Sequence, residues 1–520
     1  MMKMKNQGLA IVLLAGVLLT VIQGCRQEKM PEVRLRGDQF DPVRSLIDET
    51  IRKHKIVSVA IATAKDGVVV WEEAFGWADR AKQIPATPQS IYALASISKS
   101  FTATGLMVLV ERGLVDLDRP VNEYLGEAKL VSYVGDPAQA TVRQVLQHTA
   151  GLPSHVNVFF QNETAYPPDQ DESIRRYGII VDEPGREYTY SNFGYGVLDR
   201  VIARVSGKSY AEFMKAEVFA PLGLTHTSVL LDSTLQAHTV RHYDAQRNLV
   251  PPLDFDHRGA SAIYSSVHDL IHYGMFHLQN EVPGQKRILS EQTIDMMHSP
   301  SDFTIPEEGV DQVRIGLGWA VVDMKGVRFI NITGGMPGTV TRLALIPKEN
   351  AAVAIMMNSG IGETYSPWDI EWETFAALIP GFPKKPEIVT EKHEATPIPA
   401  ELLGEWRGSI KTYQGDLAVK LSIRHGRDML LEIDGKKTRP IRVQTPLGGI
   451  RFREDVFQAP FFGSIPTDDL QSRKAGHVLF LRLRRRGDTL GGVVAAVAMN
   501  RTFWLPHWTE LRRVPDGKTN

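Results

Sequence analysis

The stretch Tyr92-Ala-Leu-Ala-Ser-Ile-Ser-Lys-Ser-Phe-Thr-Ala-Thr-Gly105 decides the fold. Within it, Ser96 and Lys99 are three residues apart, and at the start of a helix this spacing puts both side chains on one face. An amine beside a hydroxyl can accept its proton, and a serine hydroxyl is a poor nucleophile without such help. Apolar residues then recur at helical spacing: Ala103, Leu106, Met107 and Val110. The stretch therefore predicts a helix that begins with a candidate nucleophile and its base.

Three further strings follow in order along the chain. They are Arg143-Gln-Val-Leu-Gln-His-Thr-Ala-Gly-Leu-Pro153, Tyr188-Thr-Tyr-Ser-Asn-Phe-Gly-Tyr-Gly196 and Asn331-Ile-Thr-Gly-Gly-Met-Pro-Gly338. Taken together and in this order, the four strings resemble those of the serine beta-lactamase family. This family holds class C beta-lactamases, D-alanyl-D-alanine carboxypeptidases, D-aminopeptidases and related esterases. The resemblance covers roughly residues 40–380, and the ordered co-occurrence is far more specific than any one string.

The resemblance implies a set of catalytic residues. Ser96 would be the nucleophile that forms an acyl-enzyme, Lys99 its base, and Tyr190 a partner in the proton relay. Asn192, in the one Tyr-x-Asn of the chain, would orient the lysine and the substrate amide. The backbone N–H groups of Ser96 and Gly335 would stabilise the oxyanion.

The third string would form the substrate-binding strand, with Thr333, Gly334 and Gly335 beside the substrate. An edge strand that lets the substrate backbone come close would explain both glycines. The family usually has lysine or histidine where this chain has Ile332. The loss of a charged contact to a substrate carboxylate would cost about 1.5–3 kcal/mol. This departure favours an ester or amide over a beta-lactam or a peptidoglycan stem peptide.

The enzyme class implied is a serine hydrolase whose substrate is a small molecule or a peptide. The candidates are a D-alanyl peptide, a D-amino-acid amide, a beta-lactam and an ester. The alternative is a penicillin-binding-like sensor with a degraded site, which Ile332 supports and which Ser96, Lys99, Tyr190 and Asn192 oppose.

Composition limits the other classes of function. The 520 residues exceed the size of one ordinary core and predict two or three domains. A formal net charge of −1 without a long basic block argues against nucleic-acid binding. No metal and no organic cofactor is implied: His268 and His272 have the spacing of a zinc-protease helix but lack its glutamate. The oligomeric state stays open.

The first residues are typical of a bacterial lipoprotein signal. An apolar run at 9–22, shorter than the ~20 residues that span a bilayer, follows Lys3 and Lys5 and precedes Cys25, the single cysteine. Residues 1–24 are therefore expected to be a signal peptide, and Cys25 to carry a lipid. The alternative is a simple signal peptide or membrane anchor with an incidental cysteine.

The lipid on Cys25 would make the membrane a partner of this protein and place it in the bacterial periplasm. Arg26 in the next position favours the outer membrane by the usual sorting rule for such lipoproteins. Residues 25–39 are polar and are expected to form a tether.

Strand patterns at both ends of 40–380, with helical patterns between them, predict an α+β fold. In the beta-lactamase/transpeptidase-like arrangement, one antiparallel sheet is flanked by helices and carries a helical lobe. Residues 381–397 are proline-rich and charged, as in a semi-rigid linker. Short alternating segments over 398–520 predict a small all-β, barrel-like domain, whose Leu403-Gly-Glu-Trp-Arg-Gly408 is similar to the opening of lipocalin-like barrels.

Overall fold

A computed structural model describes most of the chain. It covers residues 32–33, 38–161, 166–307, 309–360, 367–386, 398–425, 428–441, 449–453, 455–468, 477–499 and 502–515. The predictions for the signal peptide, for Cys25 and for most of the linker lie outside these residues.

Eleven α-helices lie in the described part of the chain. They are α1 Asp41–His54, α2 Ser98–Glu111, α3 Val142–Leu146, α4 Gln170–Tyr177, α5 Asn192–Ser206, α6 Tyr210–Met214, α7 Ser233–Ala237, α8 Arg258–Ser261, α9 Val267–His277, α10 Glu291–His298 and α11 Trp368–Leu378. Among the described helices, none combines the length and the apolar character needed to cross a membrane.

Eighteen strands precede the linker. They are β1 Glu32–Val33, β2 Ser58–Lys65, β3 Val68–Asp79, β4 Ile84–Pro85, β5 Ile91–Ala93, β6 Val131–Ser132, β7 Val156–Phe160, β8 Ile179–Ile180, β9 His242–Tyr243, β10 Leu249–Val250, β11 Leu253–Phe255, β12 Tyr264–Ser266, β13 Thr304–Ile305, β14 Gln312–Ile315, β15 Ala320–Met324, β16 Val327–Met336, β17 Thr339–Ile346 and β18 Ala351–Met357.

The main sheet is antiparallel and is completed by the returning chain, as predicted. Its order is β1-β3-β2-β18-β17-β16-β15-β14-β13, with β4 paired to β3. The central strand β18 is buried along its whole length, because helices cover both faces. Helices α1 and α11 pack on one face and α9 on the other, where the helical lobe with α2 and α5 completes the core.

Nine strands follow the linker. They are β19 Gly404–Thr412, β20 Gly415–Ile423, β21 Met429–Ile433, β22 Lys436–Thr438, β23 Arg451–Arg453, β24 Val456–Phe462, β25 His477–Arg486, β26 Thr489–Ala498 and β27 Phe503–Arg513. The all-β prediction is confirmed: they form one antiparallel sheet in the order β22-β21-β20-β19-β27-β26-β25-β24-β23.

This C-terminal sheet curls into a half-barrel around its own apolar core. Trp406, Leu421, Phe457 and Leu481 are buried inside it. Its two ends approach each other where Pro440, just after β22, bridges to Phe461 of β24. The chain thus forms a curled sheet, and the described residues do not complete a continuous barrel ladder.

The C-terminal sheet packs tightly on the helical lobe. Strand β27 pairs with β7, with Phe503 opposite Asn157 and Trp504 opposite Val156. Phe503 is itself part of the large core that holds α2 and α5. The two sheets therefore share buried apolar surface in addition to their connection through the linker.

Candidate active site

Ser96 lies in a 3₁₀ turn, Ala95–Ile97, that leads directly into α2. The residue before it, Ala95, has φ +49°, a left-handed conformation that costs a residue with a Cβ of order 1–3 kcal/mol. Lys99 follows one turn later with a buried side chain. The predicted helix and the predicted facing of Ser96 and Lys99 are both present.

Gly334 is a glycine for a different reason from the one predicted. A Cβ at this position would lie 2.1 Å from the carbonyl oxygen of Leu94 and 2.2 Å from Oγ1 of Thr341. Strand β16 must therefore come this close to the turn that carries the nucleophile. At Gly335 a Cβ would meet nothing within 4 Å, so open space lies beside this residue.

Strand β16 is not an edge strand of the sheet, which corrects the prediction. It pairs with β17 on one side and with β15 on the other, but β15 accompanies it only as far as the pair Ala320–Asn331. The second half of β16, which holds Thr333, Gly334 and Gly335, therefore pairs with β17 alone among the described strands. This half presents a free backbone edge beside Ser96.

The structure brings the predicted catalytic side chains together. Ser96 Oγ lies 2.7 Å from the hydroxyl of Tyr190, and Lys99 Nζ donates to Ser96 Oγ at 3.1 Å. The same amine donates to Asn192 Oδ1 at 2.7 Å and to the carbonyl oxygen of Ala260 at 3.1 Å. The candidate nucleophile is thus contacted by two groups, the buried amine of Lys99 and the hydroxyl of Tyr190.

The charge state of Lys99 follows from its surroundings. Burial lowers the pKa of this amine well below its usual value, because a charged ammonium would lose its hydration. Its hydrogen-bond partners are a hydroxyl, an amide and a carbonyl, all of them neutral. A neutral amine keeps two N–H donors, for the oxygens of Asn192 and Ala260, and its lone pair then faces Ser96 Oγ, as a base for that hydroxyl requires.

Tyr190 stays a neutral phenol at the same site. Desolvation raises the pKa of Tyr190 to about 12, although part of its ring is exposed, and its hydrogen bond with Ser96 opposes the shift. The loop that carries it is held by His148, whose Nδ1 accepts from the N–H of Ser191 at 3.2 Å. The imidazole of His148 also packs on the Tyr190 ring, with centroids 4.8 Å apart. These contacts give His148 a structural role beside the site.

Asn192 is fixed at the start of α5. Ser191 caps the helix by accepting from the N–H of Gly194, and Asn192 Nδ2 donates to the carbonyl oxygen of His155 at 3.1 Å. Because the Nδ2 group is used in this way, the Oδ1 atom faces Lys99. The asparagine thus orients the amine through its acceptor side.

Sequence reasoning missed an arginine beside the third motif. Arg342 of β17 lies opposite Thr333 and donates from Nη1 to Thr333 Oγ1 at 2.8 Å. It is buried and forms a two-point ion pair with Glu371 of α11, with Nη2 donating to Oε1 at 3.0 Å. The turn at Pro337-Gly338 sets the register of this hairpin, so counting outward from it would have identified Arg342 as the partner of Thr333.

A second buried polar cluster lies behind the site. Asp256 accepts from His155 Nε2, which lies 2.9 and 3.0 Å from its two carboxylate oxygens, and from His257 Nδ1 at 2.6 Å. These three side chains are close enough together to hold a metal ion. The hydrogen bonds already satisfy the carboxylate, and they account for the arrangement without an ion. The other histidines considered, His268 and His272, bind Glu72 Oε2 and the carbonyl oxygen of His268, respectively.

A cavity of about 320 Å³ opens beside Ser96. Lys99, Tyr188, Tyr190 and Thr333 lie in its wall near the nucleophile, and most of the remaining wall is apolar, with Glu307, Asn331 and Arg342 among the polar exceptions. The fold and this pocket define the class of beta-lactamase- and transpeptidase-like proteins.

The comparison with known families gives the same result. The profile of the Beta-lactamase family matches residues 43–371, more than half of the chain, and the chain belongs to this family. It is 26% identical over 333 residues to Protein flp of Staphylococcus aureus strain MRSA252, a match that covers 62% of this chain and 64% of that protein. It is 28% identical over 327 residues to penicillin-binding protein 4* of Bacillus subtilis, covering 58% and 68%. The match thus spans less than two thirds of the length of Protein flp.

Solved structures share the fold. The octameric penicillin-binding protein homologue from Pyrococcus abyssi has a TM-score of 0.57 at 22% identity and covers 91% of this chain and 99% of its own. SurE has a TM-score of 0.60 at 22% identity, with 92% and 99% covered. A class C beta-lactamase has a TM-score of 0.55 at 19% identity and covers 66% of this chain and 97% of its own. The first two likenesses thus extend into the C-terminal sheet.

Proposed function

We propose that the protein is a serine hydrolase that cleaves an ester or an amide through an acyl-enzyme on Ser96. The observation that supports this best is the position of Ser96 Oγ, 3.1 Å from the buried amine of Lys99 and 2.7 Å from the hydroxyl of Tyr190. Membership of the Beta-lactamase family supports a serine hydrolase-like function for this pair.

In the proposed acylation, Lys99 Nζ takes the proton of the Ser96 hydroxyl while Oγ bonds to the substrate carbonyl carbon. The bond from this carbon to the leaving oxygen or nitrogen then breaks. The proton reaches the leaving group through Lys99 and Tyr190, which can donate because it is a neutral phenol. Water attacks the acyl-enzyme by the reverse of these proton transfers.

The backbone would stabilise the charge that develops on the substrate oxygen. The N–H groups of Ser96 and Gly335 are the proposed oxyanion donors. The open space at Gly335 and the free edge of β16 leave room for a substrate backbone there. Thr333 and Gly334 would lie along the same edge, and Asn192 would hold Lys99 in place.

We further propose that the mature protein is anchored by a lipid on Cys25 in the bacterial periplasm, on the outer membrane. The support is the sequence alone, in which Cys25 follows an apolar run and precedes Arg26. Metabolic labelling with a palmitate analogue, in the wild type and in Cys25→Ser, tests the anchor. A label that persists in the variant would contradict it.

The catalytic proposal is tested by intact mass spectrometry and by hydrolysis of 4-nitrophenyl acetate. We expect Ser96→Ala to lose turnover and to lose any adduct formed with a penicillin or a slowly released ester. Ser98→Ala is the matched control and should keep turnover. It removes a neighbouring hydroxyl whose hydrogen bond is with the N–H of Ile263, at 3.0 Å, and not with Lys99 or Tyr190. Equal turnover in Ser96→Ala and the wild type would contradict the proposal. A folded wild type with neither adduct nor turnover would favour the sensor.

A further inference from the structure

The cavity beside Ser96 lies in the gap that opens where β15 stops pairing with β16. Neighbouring residues of a strand point to opposite faces of the sheet, and both Ile332 and Thr333 line this cavity. The space therefore continues past the free edge of β16 toward the face covered by α11. We call it the edge chamber.

The far walls of the edge chamber are apolar. Val313 and Ile315 of β14 lie opposite Val322 and Ala320 of β15, so all four side chains share one face of the sheet. The buried indole of Trp319 and the ring of Trp368, at the start of α11, also line the chamber.

Among the described residues, the charged ones that line the chamber provide no free cation. They are Lys99, Arg342 and Glu307. Burial holds the pKa of Lys99 well below its usual value. Arg342 is paired with Glu371, and its guanidinium lies over the Trp368 ring at 5.1 Å. Glu307, an exposed residue, adds a negative charge. At the wall nearest Ser96, where the family usually has a cation, this chain has Ile332.

We propose that the edge chamber binds an uncharged apolar substituent of the substrate and disfavours a carboxylate. The inference rests on the proposed function, because it assigns a substrate class to that same site. An apolar group would replace water along the valine, isoleucine and tryptophan walls. A carboxylate would lose its hydration next to Glu307 and the already paired Arg342 without gaining a free cation as its partner.

The kinetic test uses two series of esters. One varies the acyl chain of 4-nitrophenyl esters from acetate to hexanoate, and the other varies the alcohol of acetate esters. In at least one series, kcat/KM should rise about threefold to fourfold per added methylene. A terminal carboxylate on the longest ester should lower it at least tenfold relative to a methyl group. A flat profile in both series, or a preference for the carboxylate, would overturn the inference.

Three variants locate the effect. Ala320→Phe should fill the chamber and reduce the ratio of kcat/KM for the long ester over the short one. Ile332→Lys should shift the preference toward the carboxylate-bearing ester at least tenfold. Ile332→Met, uncharged and of comparable length, should leave that preference unchanged. A shift of the same size in Ile332→Met would overturn the inference.

A binding measurement separates this inference from the catalytic proposal. Ser96→Ala protein is titrated with hexanamide and with hexanoate, which have the same chain length, and tryptophan fluorescence is followed because Trp319 and Trp368 line the chamber. We expect hexanamide to bind at least tenfold more tightly. Equal binding, tighter binding of hexanoate or no binding of either would overturn the inference even if Ser96 hydrolyses esters. Tighter hexanamide binding without hydrolysis by the wild type would support the proposed preference of the edge chamber and contradict the proposed hydrolase function.

Discussion

Two buried polar clusters lie side by side in this protein, and their surroundings favour a neutral group in one and a charged group in the other. In one, Lys99 contacts neutral groups, and burial holds its pKa well below the usual value. In the other, burial alone would raise the pKa of Asp256, but His155 and His257 contact the carboxylate and hold its pKa well below the usual range. In each cluster burial disfavours the charged form of the central group. The contacts around that group then decide whether the charged form is stabilised enough to persist.

The largest expected effect is on the neutral cluster. Lys99→Arg places a group that stays charged where the wild type has a neutral amine, so it can no longer accept the Ser96 proton. We expect kcat/KM for 4-nitrophenyl acetate to fall about 10⁴-fold. Lys208→Arg, at an exposed ion pair with Glu217, is the control. Retention of more than a tenth of the activity in folded Lys99→Arg would show that a neutral amine is not needed.

The charged cluster should respond in stability. Asp256→Asn removes the negative charge that accepts from both histidines, and a hydrogen bond to a charged group contributes about 1.5–3 kcal/mol. We expect urea unfolding to show a loss of free energy of this size. Asp323→Asn, which breaks an ion pair with the exposed Arg328, should cost less than about 1 kcal/mol. Similar losses in the two variants would mean that the buried Asp256 contributes no more to stability than the partly exposed Asp323.

Tyr190→Phe tests how the neutral cluster passes on its proton. It keeps the ring over Lys99 but removes the hydroxyl that contacts Ser96. We expect kcat/KM to fall about 10²-fold for a substrate with a poor leaving group. The fall should be smaller for 4-nitrophenyl esters, because that leaving group needs no proton. Equal losses for the two substrates would argue against proton donation by Tyr190.

The smallest effect, counted per residue and per pH unit, comes from histidines that burial keeps neutral. Burial lowers the pKa of His148 and His298 to about 3, and of His242 and His507 to about 4. Below about pH 6.5 these histidines become protonated in the unfolded chain but stay neutral in the folded protein. The contribution of these histidines to the free energy of unfolding is thus fully present above pH 6.5. It falls as the pH drops toward 4, by about 1.4 kcal/mol per pH unit for each histidine.

Urea midpoints between pH 7.5 and 4.5 measure this slope. The Asp256 cluster should contribute below about pH 4, where an unfolded aspartate takes up its proton. His298→Phe should reduce the slope by the share of one histidine, about 1.4 kcal/mol per pH unit. An unchanged slope in that variant would mean that His298 is protonated in the native protein.

The sequence predicted the elements of the site better than the contacts around them. Ser96, Lys99, Tyr190 and Asn192 lie in short strings whose order along the chain is informative, and the structure brings them within hydrogen-bond distance. The pairing of Arg342 with Glu371 is different, because it joins a strand to a helix. No local pattern of charge or periodicity encodes which carboxylate a buried arginine meets.

The fold shows the same division. Strand alternation predicted the C-terminal sheet, since that signal lies within a few residues. It did not predict that β27 would pair with β7, or that Phe503 would enter the core around α2. Such contacts depend on the packing of whole elements, which local periodicity does not contain.

The pairing of β7 with β27 sets a delay during synthesis. Phe503 is added about 350 residues after its partner Asn157. At roughly 5–20 residues per second, the ribosome needs about 20–70 seconds to make the intervening chain. Throughout that interval, the side of β7 that β27 will cover stays unpaired, and the core around α2 lacks Phe503. Export to the periplasm, as proposed above, would therefore begin while β7 is still uncovered and before the two sheets can join.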